Sequence, residues 1–541
     1  MAINLYLVCM QKLMQNQCRA INQPCQTTER KLRVYLRPHT FNMMSNNSIH
    51  YDVLIVGTGN AACCAALSAL EKNVRVGMLE KAPKQDRGGN STLTGHMRFV
   101  FKGIEDLRPL VKNTNEGELQ GLIDRLPKRT EDDSWDEVMR VTSGQCDPEL
   151  LRVHVTKSRD TMQWLASKGQ DWVPATGQQA LGDNILIMNG GGYGMQQRYY
   201  AALDKAGVPI HYQHAAAELI LEGGKVCGVW ARTPNGMVKF TAGAVILACG
   251  SFEANPEMRA RYLGPGWDTV RIRGVPYNTG EGLQMAMDIG AMSHGSWTTC
   301  HASPQDINIS EHTLPSQHAL SGGDSTDRYV YPYSIMVNTN GERFVDEGED
   351  TRGRTYAKMG REILAQPGGI AFQILDAKAR QMNLYPTNYA GATGAKSNTL
   401  EGLAQELGIQ PNNFIKTVSE FNSAIQPGDF NPNRHKVDGK GTKGLRINKN
   451  NYALSVTEGP FEGWAVRCGM TFAFGGLRVD PETSQVQHNA GWGIPGLFTA
   501  GEMVGGLWVG NYASGSGMMA GSTFGRLAGS SAALAVLAEK A

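Results

Sequence analysis

No Cys-x-x-Cys pair occurs in the 541 residues, although the chain has ten cysteines. That absence removes the usual spacing of zinc sites, iron–sulfur clusters and redox dithiols, so no metal is expected. No Cys-x-x-Cys-His is present either, which excludes a covalently attached haem. Cys63, Cys64, Cys227 and Cys249 lie in apolar segments and read as reduced core residues. Charge of one sign is also missing: 52 Lys and Arg stand against 50 Asp and Glu. A net charge of +2 gives no field that would draw nucleic acid or an anionic membrane. No apolar run reaches the roughly 20 residues of a membrane-spanning helix, and a cytoplasmic location is expected. What the chain has in excess is glycine. Its 64 glycines cluster in GG and GxG pairs between apolar runs, as tight turns beside a large ligand require. The length exceeds one core and calls for two or three domains.

The densest of these turns is Gly57-Thr-Gly59-Asn60-Ala61-Ala62, directly after the apolar run Val53–Val56. The run reads as a buried parallel strand. Gly57 makes the turn, Gly59 admits a pyrophosphate close to the backbone, and small Ala62 lets the next helix pack on the strand. Residues 60–72 form that helix, with free N-terminal amides for a phosphate pair. A second strand, Val74–Leu79, ends at Glu80, 23 residues beyond Gly57. A carboxylate there accepts from a ribose diol and disfavours a phosphorylated ribose. An ADP group of FAD or NAD is implied.

Residues 1–50 differ from the rest in being basic and rich in Asn and Gln. They read as an N-terminal extension or surface arm, with an organellar leader as the alternative; a secretory signal is not expected. Helices are expected between Glu105 and Glu149, over Val153–Ala166 and over Met195–Lys205. Val208–His211 and Glu218–Leu221 read as strands, Val226–Arg232 and Met237–Thr241 as a hairpin, and Ala244–Leu247 as another buried strand. Further helices are expected over Leu283–Gly290, Thr355–Leu364 and Gly517–Ala528.

Several of these pieces together resemble the fumarate reductase and succinate dehydrogenase flavoprotein superfamily. They are Gly88-Gly89-Asn90-Ser91, the strand end Leu247-Ala248-Cys249-Gly250, Gly280-Glu281-Gly282, Asn340 through Glu347, and Gly501-Glu502 through Arg526. Thr471-Phe-Ala-Phe-Gly475-Gly476, Arg352 with Tyr356, and Gly510-Asn511-Tyr512 resemble the tricarballylate dehydrogenase branch and related corrin-pathway flavoproteins. The resemblance implies an α/β fold: a glutathione-reductase-like FAD-binding domain with an inserted α+β substrate-capping domain. Its expected parts are 51–290 and 441–541 for the FAD-binding domain and 291–440 for the cap. FAD contacts are expected from Gly57, Gly59, Asn60, Ala61, Ala62, Glu80, Lys81, Gly88, Gly89, Asn90, Ser91, Ala216, Ala248, Gly250, Gly501, Glu502, Ser516 and Gly517. Because Asn90-Ser91 is followed by Thr92 rather than histidine, with His96 out of register, the flavin is expected to be non-covalent.

The same resemblance makes Arg352 the proton-exchanging residue, relayed by Glu347, Glu349 or Asp350. An arginine is protonated in almost any setting, so the alternative is that Arg352 only pairs with those acids. His301, Thr471 and Tyr512 are expected to orient a carboxylate or carbonyl, with Tyr356 beside them. The chain departs from the reductases in two places. Gly469-Met470-Thr471-Phe472 lacks their histidine, and Tyr512 stands where they have an arginine. Arg328 or Arg354 are the candidates to restore the lost charge. The expected reaction is oxidation of a carbon–carbon single bond beside a carboxylate, as from tricarballylate to cis-aconitate. The alternatives are fumarate-type enoate reduction, 3-ketosteroid-type dehydrogenation through tyrosines, and flavin binding without turnover. The partners are a small acid or carbonyl compound and a separate electron carrier: protein, quinone or oxygen.

Overall fold

The computed structural model describes residues 48–175, 185–321, 326–432 and 436–541. The expectations for residues 1–47 lie outside the described residues, while Ile49 and His50 already belong to the first strand. In chain order the main elements are β1 (Ile49–Val56), α1 (Asn60–Leu70), β2 (Val76–Glu80), α2 (Pro148–Ser167) and α3 (Gly191–Lys205). There follow β3 (Ile210–Tyr212), β4 (Ala215–Glu222), β5 (Lys225–Thr233), β6 (Gly236–Leu247), β7 (Arg271–Ile272), α4 (Glu281–Asp288) and β8 (Ser293–Asp306). The last group is β9 (Ile335–Asn338), α5 (Arg352–Leu364), β10 (Ile370–Leu375), β11 (Gly394–Ser397), β12 (Phe461–Leu477), β13 (Gln485–Gln487), β14 (Gly493–Thr499) and α6 (Ser516–Lys540). The stretch expected to hold helices has them at Ile104–Leu107, Glu116–Arg125 and Glu131–Val141. Two strands expected separately, over 237–241 and 244–247, are one continuous β6, because nothing between them interrupts pairing with β1 from Ile49 to Val56.

The first sheet runs β13-β14-β6-β1-β2-β3, with β5 joining β4 to β6. Neighbours from β14 to β3 are parallel. After β1, β2 and β3 the chain crosses to the other side of β1 to lay down β6. The strand order therefore reverses between β1 and β6, and the crevice outside their carboxyl ends is where such sheets take ligands. Both strands are apolar over their last residues and fully buried, as a sheet covered on both faces demands.

Two helices close one face of this sheet at very short range. Side chains at Gly525 and Gly529 of α6 would collide with the Ala61 and Ala65 carbonyls of α1. Glycine at these four-residue intervals allows the two backbones to touch. Asn60 locks the pair by donating from Nδ2 to the Met518 carbonyl at 2.9 Å and to Ser522 Oγ at 3.1 Å. The expected helix over 517–528 runs on to Lys540, and its amino end is held beside that of α1.

The second sheet is β8-β12-β10-β9, with β11 and β7 also paired to β12. Its central strand, Phe461–Leu477, lies beyond residue 440, so this sheet is assembled from both sides of that position. Antiparallel β8 and β12 keep register except at two irregularities, one between His301 and Ala302. There His301 faces Phe472 and Ala302 faces Met470, leaving Thr471 as the extra residue of a bulge. A bulge re-aims the side chains around it, and here they turn towards the crevice of the first sheet.

Candidate active site

One cavity of about 1110 Å³ runs from the ends of β1 and β6 to the bulge. It exceeds the roughly 300–1,000 Å³ of ordinary small-molecule pockets, as a dinucleotide with a substrate beside it would need. At one end Gly57, in a positive-φ turn, sits against the Ala248 carbonyl, where any side chain would collide. Gly59 differs. A methyl group there would only touch Gly88 O and Ser91 Oγ at 3.4 Å, so protein packing alone does not require a glycine. Its free side is cavity, and with uncapped α1 behind it forms a cradle for a pyrophosphate. Glu80 lines the same end, where it accepts from Thr58 Oγ1 and, at 2.8 Å, from the Ala82 amide. Lys81 Nζ bonds Glu281 at 2.7 Å, next to Gly280 and Gly282. These residues fit the adenosine and phosphate groups of FAD.

The middle of the cavity is lined by Asn60, Ala61, Gly88, Gly89, Asn90, Ser91, Ala216, Ala248, Gly250, Gly501, Glu502 and Gly517. Ser91 Oγ accepts from the Asn60 amide at 3.0 Å and so ties the glycine loop to the start of α1. Asn90 donates to Glu253 Oε1 at 2.8 Å and the Thr471 carbonyl at 2.9 Å, and accepts from the Val275 amide at 2.9 Å. Two expected cofactor contacts lie elsewhere. Ala62 is fully buried within α1, in the packing role its size allows, and Ser516 is also outside the lining. Ser516 Oγ is buried with no hydrogen-bond partner at the first turn of α6. Glu253 and Glu502 are both raised above the usual carboxylate range, by burial first; for Glu502 the charge of Glu253 adds to it.

The far end brings together His301, Arg352, Tyr356, Thr471 and Tyr512, all five expected there. The rings form a cage: His301 stacks on Phe472 at 5.1 Å and meets Tyr356 and Tyr512 edge-on at 4.9 and 5.3 Å. Burial, then the charge of Arg273, lowers the His301 pKa to about 3, so the imidazole is neutral at ordinary pH. Its Nδ1 is buried without a hydrogen-bond partner among the described residues. The Tyr512 hydroxyl accepts from the Gly517 amide at 2.7 Å, at the start of α6. Arg352 opens α5 and places its Cζ 5.6 Å from the centre of the Tyr329 ring.

The expected helpers of Arg352 are committed elsewhere. Glu347 is fully buried against Arg343 at 2.6 Å, Glu349 pairs with Lys358, and Asp350 reaches Arg354 at 3.4 Å. None of the three lines the cavity. The candidates for a restored charge also point away: Arg328 is buried on Asp306 at 2.8 Å, and Arg354 on Glu137 at 2.7 Å. What the cavity has instead is Arg273 and Asp327, neither evident from the sequence. No motif marks Arg273; it follows β7, whose two residues pair with Gly469 and Met470 just before the bulge.

Among the described residues no cluster of metal-ligating side chains occurs, and no helix is long and apolar enough to cross a membrane. A family model described as an FAD binding domain matches residues 116–518. Fumarate reductase (cytochrome) of Shewanella frigidimarina is 27% identical over 494 residues, which cover 89% of this chain and 77% of that protein. NADH:fumarate oxidoreductase of Klebsiella pneumoniae (strain 342) is 26% identical over 504 residues, covering 89% of this chain but only 48% of its own. The open conformation of a flavocytochrome c3 fumarate reductase superposes with a TM-score of 0.67 at 24% identity, over 95% of this chain and 82% of that one. That last likeness is one of fold.

Proposed function

The chain belongs to the FAD-binding-domain family, within the fumarate reductase and succinate dehydrogenase flavoprotein superfamily, and from that premise we propose a carbon–carbon oxidoreductase for acids. It interconverts a single and a double bond beside a carboxylate, with FAD held without a covalent link. The carrying observation is the cavity itself, which joins a dinucleotide cradle to an aromatic cage containing two arginines, Arg273 and Arg352. Bound FAD would accept or supply the hydride. The chain's residues do the rest. His301, neutral and with an unpartnered Nδ1, orients a substrate oxygen by hydrogen bonding rather than by charge. Thr471 Oγ1 and Arg352 hold the carboxylates, and the Arg352 guanidinium exchanges the proton at the carbon next to the hydride site. The rings of Phe472, Tyr356, Tyr512 and Trp508 keep water from the reacting bond.

A tricarballylate-like acid oxidised to an enoate is the specific reaction proposed, because Gly469-Met470-Thr471-Phe472 lacks the reductases' histidine and Tyr512 stands in place of their arginine. Enoate reduction is the second reading, favoured by the names of both relatives. A ketosteroid fits less well. Two guanidinium groups suit acids, and the Tyr331 hydroxyl bonds Thr355 at 2.6 Å outside the cavity. Electrons leave or arrive through a separate carrier.

The test is anaerobic spectroscopy of the purified flavoprotein with tricarballylate, succinate and a 3-ketosteroid. Bleaching of the visible flavin band by tricarballylate is the expected result. If the oxidised protein is inert but its dithionite-reduced form is reoxidised by fumarate or cis-aconitate, reduction is the physiological direction. Response to the steroid alone would overturn both.

A further inference from the structure

The segment after β7 is absorbed by neither the nucleotide cradle nor the expected catalytic set, yet it sends Arg273 into the substrate end of the cavity. Arg273 is fixed at both levels of structure. Its backbone amide donates to the Met470 carbonyl at 2.8 Å, which holds it alongside the bulge. Its side chain makes a two-point ion pair with Asp327, Nε to Oδ1 at 2.8 Å and Nη2 to Oδ2 at 3.2 Å. Asp327 is held in turn by Gln305 Nε2 at 2.7 Å, and its carbonyl accepts from Asn388 Nδ2 at 2.9 Å. A guanidinium has donors on three nitrogens. With two engaged by Asp327, the third, Nη1, is 3.5 Å from Thr471 Oγ1 on the cavity side.

Two buried polar atoms at this end have no hydrogen-bond partner among the described residues, His301 Nδ1 and Asn388 Oδ1. Both residues line the cavity with Arg273 and Arg352. Unpaired polar atoms this deep are costly unless a ligand meets them. Arg352 enters from the start of α5 and Arg273 from the end of β7, so the two cations come from different elements of the same cavity.

We propose that Arg273, with Thr471, is a second carboxylate anchor, and that the site therefore selects acids with at least two carboxylates over monoacids of the same shape. Asp327 is the positioning residue that presents Nη1 to the ligand. The inference rests on the enoate chemistry proposed above and deepens it. It also accounts for the departure at Tyr512, since the charge missing there is restored from a different part of the chain.

The FAD-loaded protein is titrated with fumarate and with monomethyl fumarate, following the perturbation of the flavin spectrum. Wild type is expected to bind the diacid about 10–100-fold more tightly, the difference one charge-assisted hydrogen-bonded pair makes. In Arg273→Gln the two affinities should converge to within about threefold by the same arithmetic, because fumarate loses its second anchor and the monoester loses little. Arg273→Lys should fall between, since a point charge replaces a planar fork. A gap preserved in Arg273→Gln, or absent in wild type, overturns the inference while leaving the proposed reaction standing. If Arg273→Gln does not retain FAD, the lysine variant decides: a gap narrower than wild type supports the anchor, and an equal one overturns it. A wild-type flavin that responds to neither compound overturns the inference, while bleaching by tricarballylate decides the proposed reaction separately.

Discussion

Glu253, fully buried, and Glu502, half-buried on the cavity wall, follow the ends of β6 and β14 and meet beside the glycine loop. Burial raises both, and their proximity keeps a proton on the pair; Glu253 is pushed from 4.5 up to about 7. The folded protein then binds more protons than the unfolded chain. Its stability from this pair is full below about pH 4.5 and is lost as pH rises through about 7. The unfolding free energy measured with urea should therefore fall between about pH 5 and about pH 8, by on the order of 2 kcal/mol. Glu502→Gln should flatten that slope; an unchanged slope would place its source elsewhere. His301 has the opposite sign. Its lowered pKa makes acid, not alkali, unfavourable to the fold, and leaves a neutral ring at the pH where the reaction is measured. The sequence singles out His301 because of its neighbours in the chain, but its protonation state depends on burial and on Arg273, 28 positions away.

The two helices that close the nucleotide end depend on a stripe of glycines. Gly521, Gly525 and Gly529 follow a four-residue spacing that is visible in the sequence, yet only the fold shows that α1 is their partner. Gly529→Val would drive a branched side chain into the Ala65 carbonyl. We expect a loss of about 1–3 kcal/mol of stability, as for other overpacked contacts. FAD content on purification should also drop, because the amino end of α6 and Gly517 move with the helix. Full FAD content with unchanged stability would show that the helices separate at little cost. The bulge in β12 is a second element that sequence does not predict. Met470-Thr471-Phe472 has no glycine or proline to announce it, and Thr471 becomes the extra residue only because β8 pairs on either side of it.

In the whole molecule, Asn90 is one residue through which the nucleotide crevice and the second sheet meet, alongside the Ala473 amide on Glu502. It contacts Glu253 after β6, Thr471 in β12 and Val275 after β7. Asn90→Ala would remove three hydrogen bonds at once, after which Glu253 Oε1 keeps only Asn278 Nδ2 at 2.6 Å. We expect about 2–3 kcal/mol of destabilisation and weaker binding of the acid, measured by urea unfolding and by flavin-perturbation titration with fumarate. Retention of both would show that the two sheets are held together without it. The sequence by itself determined the nucleotide half. Strand, glycine turn, helix and Glu80 are consecutive, each is shaped by local backbone sterics and hydrophobic period, and all are found where they were expected. It also brought Arg352, His301, Thr471, Tyr356 and Tyr512 to one place, through motifs each contained within a few residues. Only the tertiary structure decided the charges of the substrate end. Ion pairing is a competition in space: Glu347, Glu349 and Asp350 are neighbours of Arg352 in the chain, but Arg343, Lys358 and Arg354 claim them. Arg273 and Asp327, which are 54 residues apart in the sequence, meet because β7 pairs with β12 while Asp327 bridges to Gln305 of β8, the other neighbour of that strand.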